Sequence, residues 1–293
     1  MTAPQAPSQG RLVFVKNQLE DLIRTLGNDV PLAHLSLKPL DDLIGGVRPG
    51  QMYALGATPG AGKTTLLLQC ADDLAAQGTP VIFVSGELPP HKLIAKSLSR
   101  MANGALDLAD IPPSTDEARR SFRGVVERYG ELVAPNLCIT ESCIPEEIDR
   151  LVNDCVHERG AVPVLFVDYL QLVATSLTEP ICDERLAISA CIKKLRGTCN
   201  RYGCPLFAIS TINRTSYDMK KLNLSAFGGT STVEYAFDCA LILSDDRSAG
   251  MREDGVRRLS LTALKNRYGR LGEAQLALDE ASATFFDPLG GTR

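Results

Sequence analysis

Residues Ala57-Thr58-Pro59-Gly60-Ala61-Gly62-Lys63-Thr64 follow the spacing G-x-x-x-x-G-K-[ST], with alanine at the first position. Gly60 and Gly62 let the backbone come close to a polyphosphate with successive N–H groups turned inward. An apolar run, Met52 to Ala57, leads in, and a helical pattern beginning near Lys63 leads out and stops at Gly78. The start of that helix adds free N–H donors and a partial positive charge. Lys63 is the group to neutralise the β- and γ-phosphates, and the Thr64 hydroxyl the group to ligate Mg²⁺. Thr58, Pro59, Gly60, Ala61, Gly62, Lys63, Thr64 and Thr65 are together the expected triphosphate-binding residues. A chance Gly-rich turn is the bland alternative, and the strand–loop–helix context argues against it.

A second constellation is the apolar run Val164-Leu165-Phe166-Val167 ending in Asp168. A buried strand that delivers a carboxylate beside a phosphate loop is the Walker B arrangement, and Asp168 is expected to hold the metal through its water shell. The third is Glu87, which follows the strand pattern Val81–Ser85 with only Gly86 between. A carboxylate at the C-terminal edge of a parallel sheet sits where ligands bind. Glu87 is placed to orient and deprotonate the water that attacks a γ-phosphorus. A lone Glu at a strand end is commonly just solvated, and the resemblance given below is what selects this one.

These residues need a scaffold of alternating strands and helices. Strands are expected at Met52–Ala57, Val81–Ser85, Leu137–Thr140, Pro163–Tyr169, Pro205–Thr211, Ala240–Leu243, Leu259–Leu264 and Ala274–Leu278. Central strands that are apolar throughout are buried on both faces, which implies an α/β fold with a mostly parallel sheet and helices on each side. Pro89 and Pro90 suit a first helical turn, Ser114-Thr115-Asp116-Glu117 reads as a capping box, and Pro145 with Glu146 and Glu147 opens another helix. The expected organisation is a disordered tail (1–10), an amphipathic linker helix (11–30) and one catalytic domain (31–293). In the linker helix, Leu12, Val15, Leu19, Leu22, Ile23 and Leu26 recur at helical spacing and Gly27 stops the pattern. It either folds onto its own domain or docks on a neighbouring subunit.

Composition sets the class. With 44% hydrophobic and 23% charged residues the chain reads as soluble and globular, and its core must be aliphatic because Trp is absent. Acids outnumber bases 35 to 31, which argues against coating nucleic acid through bulk charge but not against a local basic strip. Nine Cys show no C-x-x-C pair and only three His accompany them, so reduced thiols packed as small hydrophobes are expected rather than a zinc site. No signal peptide pattern and no membrane-length apolar run are present, and a cytoplasmic location is the expectation.

Taken in order, these residues resemble the C-terminal motor domain of DnaB-type replicative DNA helicases, which has the RecA-like P-loop fold. The resemblance runs over residues 35–280. Leu40-Asp41-Asp42-Leu43-Ile44-Gly45-Gly46 followed by Pro49-Gly50 is similar to the family's opening segment. Ser85-Gly86-Glu87-Leu88 resembles the stretch carrying its catalytic Glu, and Asp168-Tyr169-Leu170-Gln171-Leu172 its Walker B signature. Ser210 to Arg214 (STINR) and Lys265-Asn266-Arg267-Tyr268-Gly269 resemble two further family segments.

The resemblance implies ATP and Mg²⁺ as ligands and a homo-oligomer, six subunits in a ring. It implies that Lys265 and Arg267 act in trans on the neighbouring subunit's γ-phosphate, and that single-stranded DNA passes a central loop near Arg214, Lys220 and Lys221. Around a ring those lysines would line a basic channel; a merely exposed charged loop is the alternative. Thr211 stands where the family has Gln, and Gly228 near a family Arg, and both departures bear on DNA coupling more than on ATP binding. No counterpart of the family's N-terminal helical domain is recognised in the sequence. The leading expectation is an ATP-driven ring motor that unwinds duplex DNA 5′ to 3′. The alternative is a RecA-like ATPase with a regulatory, recombination-accessory or protein-remodelling role. A fold retained without catalysis is opposed by Lys63, Thr64, Glu87 and Asp168 all being present.

Overall fold

The computed structural model describes residues 30–104, 115–177, 183–211, 236–245 and 255–290, together with Val15 and Leu19. Its strands follow from the apolar runs. β1 (Met52–Ala57), β2 (Val81–Ser85) and β4 (Val164–Asp168) are buried at every position. They assemble with β3 (Leu137–Thr140), β5 (Leu206–Thr211) and β6 (Cys239–Asp245) as parallel neighbours. β7 (Val256–Asn266), β8 (Gly272–Asp279) and β9 (Thr284–Phe286) extend the sheet antiparallel. The strand order is β3-β2-β4-β5-β1-β6-β7-β8-β9.

Strand limits differ from expectation for identifiable reasons. Pro163 and Pro205 fall outside their strands, since proline has no N–H for a ladder. β7 and β8 run past the predicted Leu259–Leu264 and Ala274–Leu278, because strand pairing carries polar residues into the ladder: Arg257 and Glu273 between β7 and β8, and Lys265 against β6. β9 has no predicted counterpart, being only three residues long.

The helices form two layers. α1 (Lys38–Ile44), α2 (Lys63–Ala76), α3 (Pro90–Met101) and α4 (Asp116–Leu132) contribute Leu40, Leu67, Leu74, Leu93 and Tyr129 to one core. α5 (Pro145–Arg159), α6 (Leu170–Thr175) and α7 (Glu184–Tyr202) contribute Ile148, Val152, Val173, Ile188 and Leu195 to the other. Strand alternation separates them: Tyr53 and Leu55 face the first layer, Met52 and Ala54 the second. Four aromatics stack on the first face, Tyr53–Phe207–Phe166–Phe83, with successive ring centroids 4.3, 5.1 and 5.9 Å apart. Pro90 and Pro145 open α3 and α5 as expected. The expected capping box gives way to a simple N-cap one residue on, with Ala118 at the position where the box needs Glu or Gln. Thr115, not Ser114, caps α4, accepting a hydrogen bond from the Ala118 N–H at 3.2 Å.

Of the residues expected in the linker helix, Leu19 is helical, and Val15 (70%) and Leu19 (47%) are exposed. The rest of that helix, the tail, Arg214, Lys220, Lys221 and Gly228 lie outside the described residues. Cys70, Cys143, Cys191, Cys199, Cys204 and Cys239 are buried, while Cys138 is exposed. Among the described residues no helix is long and apolar enough to cross a membrane.

Candidate active site

β1 ends at Ala57 in the middle of the sheet, and the chain turns over Thr58–Gly62 before α2 begins. The turn is closed by the Ala61 N–H donating to the Thr58 carbonyl at 3.2 Å. Gly62 caps α2 with φ +91 and offers no side-chain acceptor, so the first N–H groups of the helix have no side-chain cap. Strand order brings the acids here: β2 lies beside β4, with Ser85 opposite Asp168, and the Gly86 N–H donates to the Asp168 carbonyl at 2.9 Å. A Cβ on Gly86 would come within 2.8 Å of Cys143 Sγ and Leu172 Cδ1, so a larger residue at the step from β2 to Glu87 would make those side chains shift.

A pocket of about 640 Å³ opens at this edge. Pro59, Gly60, Gly62, Lys63, Thr64 and Thr65 line it on one side, Glu87 and Asp168 on another. Of the predicted loop, Thr58 and Ala61 do not line it: Ala61 is fully buried, and Thr58 contributes its carbonyl to the turn. The Thr64 hydroxyl donates to Asp168 Oδ2 at 2.6 Å. A hydroxyl and a carboxylate in contact, with oxygen donors only, is the set a hard cation such as Mg²⁺ prefers. Lys63 Nζ reaches back to the carbonyls of Ala57 (3.1 Å) and Thr58 (3.0 Å).

Charges crowd the pocket. Burial pushes the Asp168 carboxyl above its ordinary value, and Glu87 adds to this; the Thr64 hydrogen bond, Lys63 and Lys96 oppose it. Burial pulls the Lys63 ammonium down, with Asp168 and Glu87 opposing. Burial is the larger cause of both shifts, and perturbed ionisable groups in a cleft mark a candidate functional site.

Several residues here escaped sequence reasoning. Lys96 on α3 lines the pocket, its Nζ 3.5 Å from Thr65 Oγ1. The available signal was that the helix following Glu87 must fold back over the loop. Arg257 on β7 pairs with Asp245 at the end of β6 and donates to the Gly60 carbonyl at 2.8 Å, bracing the phosphate loop. Beneath the loop, Gln69 on α2 pairs both ways with the Phe285 backbone, each bond 2.8 Å, and holds β9 there. No local pattern announces either contact.

Lys265 and Arg267 lie at the other end of the sheet. Tyr53, near the start of β1, pairs with Cys239, which pairs with Asn266. At roughly 3.3 Å per residue, the length of β1 separates them from their own phosphate loop by about 16 Å along the strand direction, and the intervening strand β6 adds a sideways offset. Lys265 Nζ donates to the Phe237 carbonyl at 2.6 Å and Arg267 Nη1 to Asp238 Oδ1 at 3.1 Å.

Known proteins share this fold. A DnaB-like replicative helicase, whose structure was solved together with its interactions with primase, superposes with a TM-score of 0.77 at 17% identity. The match covers 94% of this chain and 67% of that one, a likeness of fold. The replicative DNA helicase DnaB of Treponema pallidum is 28% identical over 292 residues, and that of Pasteurella multocida 24% over 272. These alignments take in 93% and 89% of this chain but only 61% and 56% of the relatives, so the chain spans little more than half their length. The family model for the DnaB-like helicase C-terminal domain matches residues 34–287, and the chain belongs to that family.

Proposed function

We propose that this domain is an ATPase that works as a ring of subunits, six by family resemblance, which moves along single-stranded DNA and unwinds duplex 5′ to 3′. The observation that carries the reading is the split of the catalytic set. Lys63, Thr64, Glu87 and Asp168 share one pocket, while Lys265 and Arg267 sit at the opposite edge of the same sheet. A subunit built this way holds a nucleotide with one edge and serves another subunit's nucleotide with the other. The names of the DnaB relatives supply the DNA substrate and the replicative role. A cytoplasmic location is part of the same reading.

In this reading the loop N–H groups and Lys63 grip the β- and γ-phosphates, and Thr64 and Asp168 hold Mg²⁺. A Mg²⁺ ion held by Thr64 and Asp168 would supply positive charge to screen the phosphate oxygens. Glu87 orients a water and takes its proton as oxygen attacks the γ-phosphorus and the bond to the bridging oxygen breaks. Arg267 from the neighbour, aided by Lys265, stabilises the charge on the transferring group, a contribution typically of about 10³–10⁵ in rate.

The test is ATP turnover with and without single-stranded DNA, alongside a mass measurement. Turnover that rises with DNA, in a species near six subunits, is expected. Arg267→Ala should abolish turnover and leave nucleotide affinity nearly intact; loss of binding would contradict the trans role, and a DNA-indifferent rate would contradict the motor.

A further inference from the structure

The foot of the sheet carries a second built cluster, remote from the chain's own phosphate loop. Asp238, one residue before β6, is 4% exposed. Its backbone joins two neighbours: its N–H donates to the Met52 carbonyl at 2.8 Å, and its carbonyl accepts from the Arg267 N–H at 2.9 Å. Its carboxylate repeats both links. Oδ2 accepts from the Met52 N–H at 3.0 Å and Oδ1 from Arg267 Nη1 at 3.1 Å. Oδ2 also accepts from Arg196 Nη2 at 2.8 Å, and Arg196 donates to the carbonyls of Gly50 (3.2 Å) and Ala236. A buried carboxylate is tolerable only when paired and hydrogen-bonded in this way.

The arrangement has a direction. Arg196 is anchored to the domain on one side of Asp238, while the Arg267 side chain on the other is still 49% exposed. A guanidinium carries five N–H donors in a fixed planar fork. Asp238 holds the fork through Nη1 and leaves half of the side chain facing outward. A long side chain at an exposed edge otherwise has rotamer freedom that must be lost each time it engages a ligand.

We propose that Asp238 is the positioning residue for Arg267: it aims the guanidinium at the γ-phosphate held by a second copy of this chain, and ties it to the foot of β1, the strand whose other end opens the phosphate loop. The proposal rests on the trans reading of Arg267 given above. Asp238 touches no nucleotide and acts through the arginine alone.

The test compares Asp238→Asn, Arg267→Lys and the double variant in the full chain, reading kcat, nucleotide affinity and assembled mass. Asn keeps the size but loses the charge and one acceptor. Misaiming a group by about 1 Å can cost roughly 100-fold, so kcat of Asp238→Asn should fall by roughly 10- to 100-fold. Affinity and mass should be unchanged. In the Arg267→Lys background, where no fork is left to aim, the same change should add little. An equal factor in both backgrounds, an affinity loss parallel to kcat, or no loss of kcat would each overturn the proposal. A wild-type rate for Arg267→Lys and Arg267→Ala would instead refute the trans reading itself. Should Asn disturb folding, Asp238→Glu keeps the charge and moves the carboxylate by about one C–C bond, ~1.5 Å. A kcat-only loss is expected there too, and wild-type kcat would overturn the proposal.

Discussion

Gly62 and Gly60 are both left-handed glycines of the phosphate loop, yet alanine should affect them differently. Gly60 has φ +74 with nothing within 4 Å of a built Cβ, so Gly60→Ala bears only backbone strain, about 1–2 kcal/mol. Gly62 has φ +91, and its Cβ would stand 3.0 Å from Phe285 Cζ and 3.3 Å from Leu278 Cδ2. Phe285 cannot move freely: it is 1% exposed and its backbone is paired with Gln69. Forcing a methyl into such packing costs about 1–3 kcal/mol more. Gly62→Ala should therefore destabilise by about 2–5 kcal/mol, exceeding Gly60→Ala by about 1–3 kcal/mol. Urea unfolding without nucleotide measures both. Adding Phe285→Leu should recover the excess, making the double variant less destabilised than the sum of the singles. Equal costs at the two glycines, or strict additivity with Phe285→Leu, would refute the claim that β9 packs under the loop as described.

Thr64→Ala removes the hydroxyl that meets Asp168, so turnover should fall by roughly 100-fold or more and demand higher Mg²⁺; a wild-type Mg²⁺ titration would exclude the metal role. Arg257→Gln releases the Gly60 carbonyl and leaves Asp245 without its guanidinium partner. Nucleotide affinity should weaken by about 1–3 kcal/mol in a fluorescent-nucleotide titration, and unchanged affinity would show that the brace does not matter. Burial pushes the Asp73 carboxyl on α2 up to about 6, Asp72 adding and Arg100 opposing. The folded state thus favours the protonated form: stability is greatest below the ordinary aspartate value and declines as pH rises through about 6. Asp73→Asn should gain on the wild type, by at most about 3 kcal/mol, across that window in unfolding curves; a pH-independent difference would refute the shift.

The sequence alone determined the groups that act through neighbours in the chain. A phosphate loop needs only small residues, a lysine and a hydroxyl in succession, with a strand before and a helix after. Asp168 was legible because it ends an unbroken apolar run, whereas Glu87, set off from its strand by Gly86, was singled out by family resemblance; both lie at the C-terminal edge of the sheet, where ligands gather. Helix openings at Pro90 and Pro145 follow from the fixed φ of proline, while the cap of α4 was misplaced by one residue because Ser114 and Thr115 carry the same hydroxyl chemistry. Tertiary structure decided what depends on pairing between distant segments. Only the order β2-β4-β5-β1 brings Asp168 to Thr64, and only the pairing of β7 with β6, next to β1, carries Arg257 to Gly60. That Arg267 faces away from its own loop, held by Asp238, is a matter of strand direction and register. Hydrophobic periodicity says which face of a strand is buried, but it carries no information on which strand lies beside it or which way that neighbour runs.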